Sequence, residues 1–263
     1  MVAIIFVASV FMLAARPLLP ANVLGHPLAQ QDIPMQPPQA TPSLQAAPSA
    51  GPVIVLDPGH GGTDTGARGE SGAVEKDVVL EFARSVRGEL ERQGFHVVMT
   101  RNDDSNPSYD DRAAIANANR DALFITFHIS STGSVGTARS YFYQFWTPIP
   151  AVVAATTGAQ PSTPAAPGLT VWEEAQRPHV DASHRFADAL QAEISQRFPN
   201  SPSRSIGVAI RGLRSIDSPA VAIEISSVSV SDPNSLTALA APLATSIAQG
   251  VTAFHSASLT GSK

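Results

Sequence analysis

Four consecutive apolar residues, Val53-Ile54-Val55-Leu56, run straight into Asp57-Pro58-Gly59-His60-Gly61-Gly62. A short apolar run without alternation is what a strand buried on both faces requires, and such strands belong to sheets covered by helices on both sides. Residues 122–127 and 220–225 repeat the pattern, and 95–100 make a shorter version of it. Residues 140–145 and 207–210 are weaker strand candidates. The stretches between them have helical spacing. Val78, Phe82, Val86 and Leu90 form one stripe over 77–92, with Asp77 as the expected cap and Gly94 as the stop. Ala113, Ala114 and Ala116 suit a closely packed helix over 110–119, and Phe186, Leu190 and Ile194 mark another over 180–198. Asp232-Pro233 is expected to open a last helix running through 254. Strands alternating with helices predict a single α/β domain: a mostly parallel, roughly six-stranded sheet flanked by helices.

That domain is expected over 52–256. Residues 1–15 are apolar apart from Ser9, which suits the core of an export signal better than a membrane span of ~20 residues. Residues 1–25 are therefore expected to be an export signal or an N-terminal anchor, although Arg16 follows the apolar run rather than preceding it. Residues 26–51 carry Pro27, Pro34, Pro37, Pro38, Pro42 and Pro48 without apolar periodicity, the composition of an unpacked linker. Residues 147–178, with Pro148, Pro150, Pro161, Pro164, Pro167 and Pro178, form an inserted loop with a short helical piece expected over 172–176.

Net charge of -5 excludes a basic nucleic-acid-binding face. The absence of cysteine excludes disulfides, thiolate metal sites and a lipid-modified cysteine anchor, so any metal rests on His, Asp and Glu.

Open α/β sheets bind ligands outside the carboxyl ends of their strands. His60 follows the first strand, His128 ends the third, and Glu224 lies near the end of the sixth. Adjacent parallel strands would bring these three within reach of one ion. Glu75 stands at the mouth of the first helix, on a loop returning over the same edge. Taken singly, a histidine after a buried strand is usually a hydrogen-bonding loop residue, and an acid at a helix start is usually solvated. A carboxylate inside a buried strand, as at Glu224, is costly unless paired or bound to metal. Two imidazoles and one carboxylate make a three-ligand catalytic zinc set with the fourth position open to water. A further carboxylate must carry the water's proton to the leaving amine, and Glu224 is placed for that. His26, His96, His179, His184 and His255 fit no such geometry and are expected to be surface or structural.

The run Val53 to Gly62, then Glu75-Lys76-Asp77, Phe95-His96-Val97-Val98-Met99-Thr100-Arg101, Arg112-Ala113-Ala114-Ile115-Ala116-Asn117, Leu123-Phe124-Ile125-Thr126-Phe127-His128 and Pro219-Ala220-Val221-Ala222-Ile223-Glu224 resemble the catalytic domain of zinc-dependent type 3 N-acetylmuramoyl-L-alanine amidases. The blocks lie in the family's order over about 200 residues. The resemblance implies zinc held by His60, Glu75 and His128, with Glu224 as the catalytic carboxylate. It implies peptidoglycan as substrate, cut at the amide between N-acetylmuramic acid and L-alanine. With the apolar leader, the expectation is an exported monomer, periplasmic or extracellular, free or anchored by that leader. Ile129-Ser130 stands where the family usually has Ala-Asn, and Ile225-Ser226-Ser227-Val228 replaces a usual Gly-Phe and Ser-Asn block. Some members carry a blocking helix that an activator protein removes, and 147–178 occupies its place, with Glu173 or Glu174 as a candidate blocking ligand. A solvated loop is the plainer expectation. Two rivals stand beside the amidase: a non-catalytic peptidoglycan-binding module on the same fold, and a zinc hydrolase of another amide.

Overall fold

The computed structural model describes residues 52–145 and 172–260. The expectations for 1–25, for 26–51 and for most of 147–178 fall outside these residues. Strands β1 to β6 are Val53–Pro58, His96–Met99, Leu123–Ser130, Thr137–Tyr143, Ile206–Val208 and Ala220–Ser226. Helices α1 to α6 are Glu75–Arg92, Tyr109–Asn117, Val180–Arg197, Arg211–Arg214, Asn234–Thr237 and Ala240–Thr260. The six strands form the single sheet that the alternating pattern predicts, in the order β2-β1-β3-β6-β4-β5. Only β4 against β6 is antiparallel; the other neighbouring pairs are parallel.

The two faces of the sheet differ. Along β3, Leu123, Ile125, Phe127 and Ile129 enter the large core with Val221, Ile223 and Ile225 of β6, under Phe82, Phe186 and Ile247 from α1, α3 and α6. The alternate residues face the other way, because successive strand side chains point to opposite faces. There, Phe124, Ala220 and Ala222 lie in a smaller core beneath Ala113 and Ala116 of α2 and Leu213 of α4. Further along the same rows come Thr126, His128 and Ser130 on β3, and Glu224 and Ser226 on β6. The second face is therefore apolar where two short helices cover it and polar at the carboxyl ends of the strands.

Several boundaries differ from expectation, β4 among them, which begins at Thr137 and ends at Tyr143, and four have a plain physical reason. Helix α1 begins at Glu75, not Asp77, and Val74 in the capping position makes no side-chain cap. Its first amides are met from outside the helix: Glu75 N donates to Ala67 O and Lys76 N to Thr65 O. Helix α2 is capped by Ser108, which forms a reciprocal box with Asp111. Strand β3 continues past His128 to Ser130 because β6 pairs with it as far as Ser226. The last helix is two helices, α5 and α6. Pro242 falls in the first turn of α6, the one place where a missing N–H is harmless. Helix α6 then runs to Thr260, beyond the expected end.

Gly250 lets α6 cross α3 closely. A Cβ there would lie 2.7 Å from Leu190 Cδ2 and 2.9 Å from its Cα. Gly250→Ala should therefore lower stability by a net ~1 kcal/mol, overpacking exceeding the gain in helix propensity. A thermal melt would read it, and a raised melting temperature would contradict the close crossing.

Strand β4 runs from Thr137, opposite Ser226, to Phe142, opposite Val221. It leads away from the carboxyl ends of β3 and β6, so the chain enters the 147–178 segment at the opposite edge of the sheet. Two short 3-10 turns, Trp172–Glu174 and Arg177–His179, bring it back, the first falling in the expected helical piece. Arg177 lies over the Phe145 ring at 4.2 Å. Gln176, fully buried, donates to Ile216 O at 2.7 Å and Ser218 O at 2.9 Å. It accepts from the Ser183 hydroxyl.

Candidate functional site

Strand β1 ends in the loop that carries His60, and His60 takes the left-handed backbone conformation at φ 60°. For a residue with a Cβ this is strained by the order of 1 kcal/mol and persists only where the surroundings impose it. Two buried arginines do so. Arg112 donates to Pro58 O and His60 O, both at 2.8 Å, and pairs with the Asp57 carboxylate. Arg101 donates to Pro58 O at 2.9 Å and to Gly59 O and Lys76 O at 2.8 Å. Asp57 also accepts from Thr100 at 2.6 Å and Thr126 at 2.7 Å. Asp57 and Arg112 are only 5% and 6% exposed. Arg112→Ala should cost about 3–5 kcal/mol, because it leaves a buried carboxylate without its counter-charge. Denaturant unfolding would measure this, and a loss under 1 kcal/mol would show that water reaches Asp57.

Glycine sets the spacing of the three candidate donors. A Cβ on Gly59 would stand 2.5 Å from His128 Cε1, and one on Gly66 would stand 2.8 Å from both His60 Cδ2 and Glu75 Cδ. With hydrogen in those places, His60, Glu75 and His128 converge. His60 Nε2 and His128 Nδ1 each lie 3.1 Å from Glu75 Oε1, and the three donor atoms fall within 4.8 Å of one another. The imidazole rings meet edge to face at 5.2 Å. The outer nitrogens are held as well, His60 Nδ1 donating to Asp64 at 2.9 Å and His128 Nε2 lying 3.4 Å from Thr126 Oγ1.

Burial opposes ionisation of Glu75, yet His128, His60 and the amides of Ala67 and Ile129 outweigh it and hold its carboxyl well below the usual range. His60 moves the other way: its bond to Glu75 raises its proton affinity against burial, helped by Asp64. A buried carboxylate kept anionic, flanked by two oriented imidazoles, suits a divalent cation with nitrogen and oxygen preference. These three residues could hold a metal ion.

Glu224 is not one of the three. It sits level with His128 in the β3–β6 pairing and on the same face, half-buried. The early grouping of His60, His128 and Glu224 around one ion thus gives way to His60, Glu75 and His128, with Glu224 beside them. His128 and Glu224 line a cavity of about 410 Å³ with Tyr109, Tyr141 and Arg211. A cavity of about 350 Å³ adjoins it through His128 and Tyr109, and one of about 320 Å³ through Tyr141 and Glu224. Together they make one groove along the polar part of the second face. Burial, then the charge of Glu224, pushes up the Tyr141 phenol.

Sequence patterns missed Asp64, Arg101, Arg112 and Tyr141. A signal existed for Asp64, an acid four residues after a candidate ligand; Arg112 looked like an ordinary helix residue. The other described histidines stay apart from the groove. His96 is exposed, His179 pairs with Asp217 at 3.0 Å, His184 stacks on Phe142 at 4.3 Å and His255 meets Phe95 at 6.3 Å. His26 lies outside the described residues.

A family model described as N-acetylmuramoyl-L-alanine amidase matches residues 54–253. The N-acetylmuramoyl-L-alanine amidase AmiC of Neisseria meningitidis is 47% identical over 77 residues, which cover 29% of this chain and 18% of that protein. The AmiC of Escherichia coli is 37% identical over 127 residues, covering 39% of this chain and 30% of that protein. This chain thus spans less than a third of the length of these two relatives. Among solved structures, the amidase AmiC2 of Nostoc punctiforme superposes with TM-score 0.57 at 23% identity, over 77% of this chain and 96% of that one. The CwlD amidase of Clostridioides difficile, solved in complex with the GerS lipoprotein, gives TM-score 0.56 at 20% identity over 78% and 99%. These structures share the fold.

Proposed function

We propose, since the chain belongs to the N-acetylmuramoyl-L-alanine amidase family, that it hydrolyses peptidoglycan at the amide joining N-acetylmuramic acid to the L-alanine of the stem peptide. The observation that carries this reading is the placing of Glu224 level with His128, in one groove with the His60–Glu75–His128 donor set. The metal we assign there is zinc, which His60 Nε2, Glu75 Oε1 and His128 Nδ1 would hold. Zinc there would supply Lewis acidity, lowering the pKa of a water and polarising an amide carbonyl. The protein's own groups do the rest. Asp64 fixes the His60 tautomer so that Nε2 faces inward. Glu75 stays anionic through its four donors. The Glu224 carboxylate takes the proton of the attacking water and delivers it to the leaving nitrogen.

Such a substrate lies outside the cytoplasmic membrane, and one of the relatives is named a probable cell wall amidase. The apolar run over 1–15 supports export by the same reading. An activator acting on 147–178 is the corresponding proposal for regulation, with the segment's two ends rooted at the far edge of the sheet.

The test is mass spectrometry of purified peptidoglycan after incubation with the zinc-loaded full chain. The expected products are peptides with a free L-alanine amine and glycan with a free lactyl carboxylate. Binding without release would leave the non-catalytic module, and fragments cut at another amide would leave a different hydrolase.

A further inference from the structure

The two ends of the groove differ in chemistry. The end beyond His60 is lined by Asp57, Asp64 and Asp110. Its Arg112 is committed to Asp57 and the loop carbonyls, and its Arg211 lies over the Tyr109 ring at 5.0 Å. The end beyond Glu224 is lined by Ser130, Thr137, Ser226 and Asn200, and among the described residues there Arg139 is the one cation and Glu224 the one acid. Both arginines of the first end are thus engaged, whereas Arg139 lines the second end opposite Glu224. Register places Arg139: it stands opposite Glu224 across β4 and β6, with Tyr141 next on the same face. Among the described residues no ion pair joins it to Glu224 or to another acid, and beside its hydrogen bond with the Tyr141 phenol its planar fork keeps donors for a carboxylate.

We infer that Arg139 is a specificity-determining residue, binding a free carboxylate of the stem peptide just beyond the scissile amide. Opposed residues in an antiparallel pair have Cα atoms ~5 Å apart, and an extended peptide advances ~3.5 Å per residue. The Arg139 guanidinium therefore reaches the residue that follows L-alanine. The peptide then leaves toward β4, and the glycan lies toward Tyr109, whose exposed ring offers a flat face to a sugar. The preferred substrate class is a stem whose second residue keeps its α-carboxylate rather than the corresponding amide. This inference rests on the amidase reading above.

The experiment uses the zinc-loaded full chain and two soluble muramoyl peptides that differ only at the second residue, glutamate with a free α-carboxylate or its carboxamide. The wild type should favour the acid by about tenfold in kcat/KM, carried by KM. Arg139→Ala should bring that ratio toward one, and Arg139→Lys should restore part of it. Calorimetric binding of the released peptides, acid against amide, should follow the same order without turnover. A wild type indifferent to the two substrates, a ratio kept by Arg139→Ala, or one lost in Arg211→Ala instead, would overturn the assignment while the amidase reading stands. Cleavage of neither substrate by the wild type would overturn both.

Discussion

Replacing Glu224 by glutamine should cut turnover by about 10²–10⁴-fold, the usual contribution of general acid–base catalysis, while metal content stays at the wild-type level. Glutamine keeps the size and hydrogen-bonding reach of the side chain but cannot take a proton. The three-donor group does not include Glu224, so losing its charge should not release the ion. Metal analysis, thermal melting and turnover on this one variant separate three roles. A fourth metal ligand would lose metal along with activity. A structural carboxylate would lose stability, because an amide in place of a paired charge lacks partners. A proton carrier loses turnover alone. Near-normal turnover with normal metal would remove Glu224 from the mechanism.

Why Glu224 was visible in the sequence while its neighbours were not follows from how each is buried. An acid inside Val221-Ala222-Ile223-Glu224-Ile225 breaks an apolar run, and a broken run is legible without tertiary knowledge. The buried arginines break nothing. Arg112 sits on a nine-residue helix where a surface charge is ordinary, and its partner Asp57 stands 55 residues away. Only folding brings them together. The start of α1 was hidden for the same reason, since its first amides are met by carbonyls of the 65–67 loop rather than by a capping side chain. The break before α6 could have been read, because Pro242 marks it. Ile129, where the family usually has alanine, is 3% exposed and points into the large core. Its bulk is a packing choice, whereas Ser130 beside it faces the groove.

Removing the metal, or a ligand, has the other large expected effect. A chelator should abolish turnover, as should His60→Ala and His128→Ala, and about one zinc per chain should be lost with it. The fold should survive. The large core of Phe82, Phe127, Phe186 and Ile247 draws nothing from the donor set, and the loop carrying His60 is held by Arg101 and Arg112. Circular dichroism should therefore stay native after chelation, unlike that of a small zinc-folded module, which collapses without its ion. Full activity in either histidine variant would sink the ligand assignment. Unfolding on chelation would show that the loop depends on the ion after all.

The neck formed by Phe145, Gln176 and Arg177 turns the far edge of the sheet into a splice port. Because Arg177 lies on Phe145 and Gln176 is locked to the carbonyls of Ile216 and Ser218, the two chain ends stay juxtaposed whatever joins them. Doubling the length of a flexible connection between fixed ends costs only ~0.6 kcal/mol. Cargo such as an affinity handle, a fluorophore or a whole binding domain can thus be grafted between 147 and 171, on a neck whose Phe145 stands roughly 20 Å along the strands from Glu224.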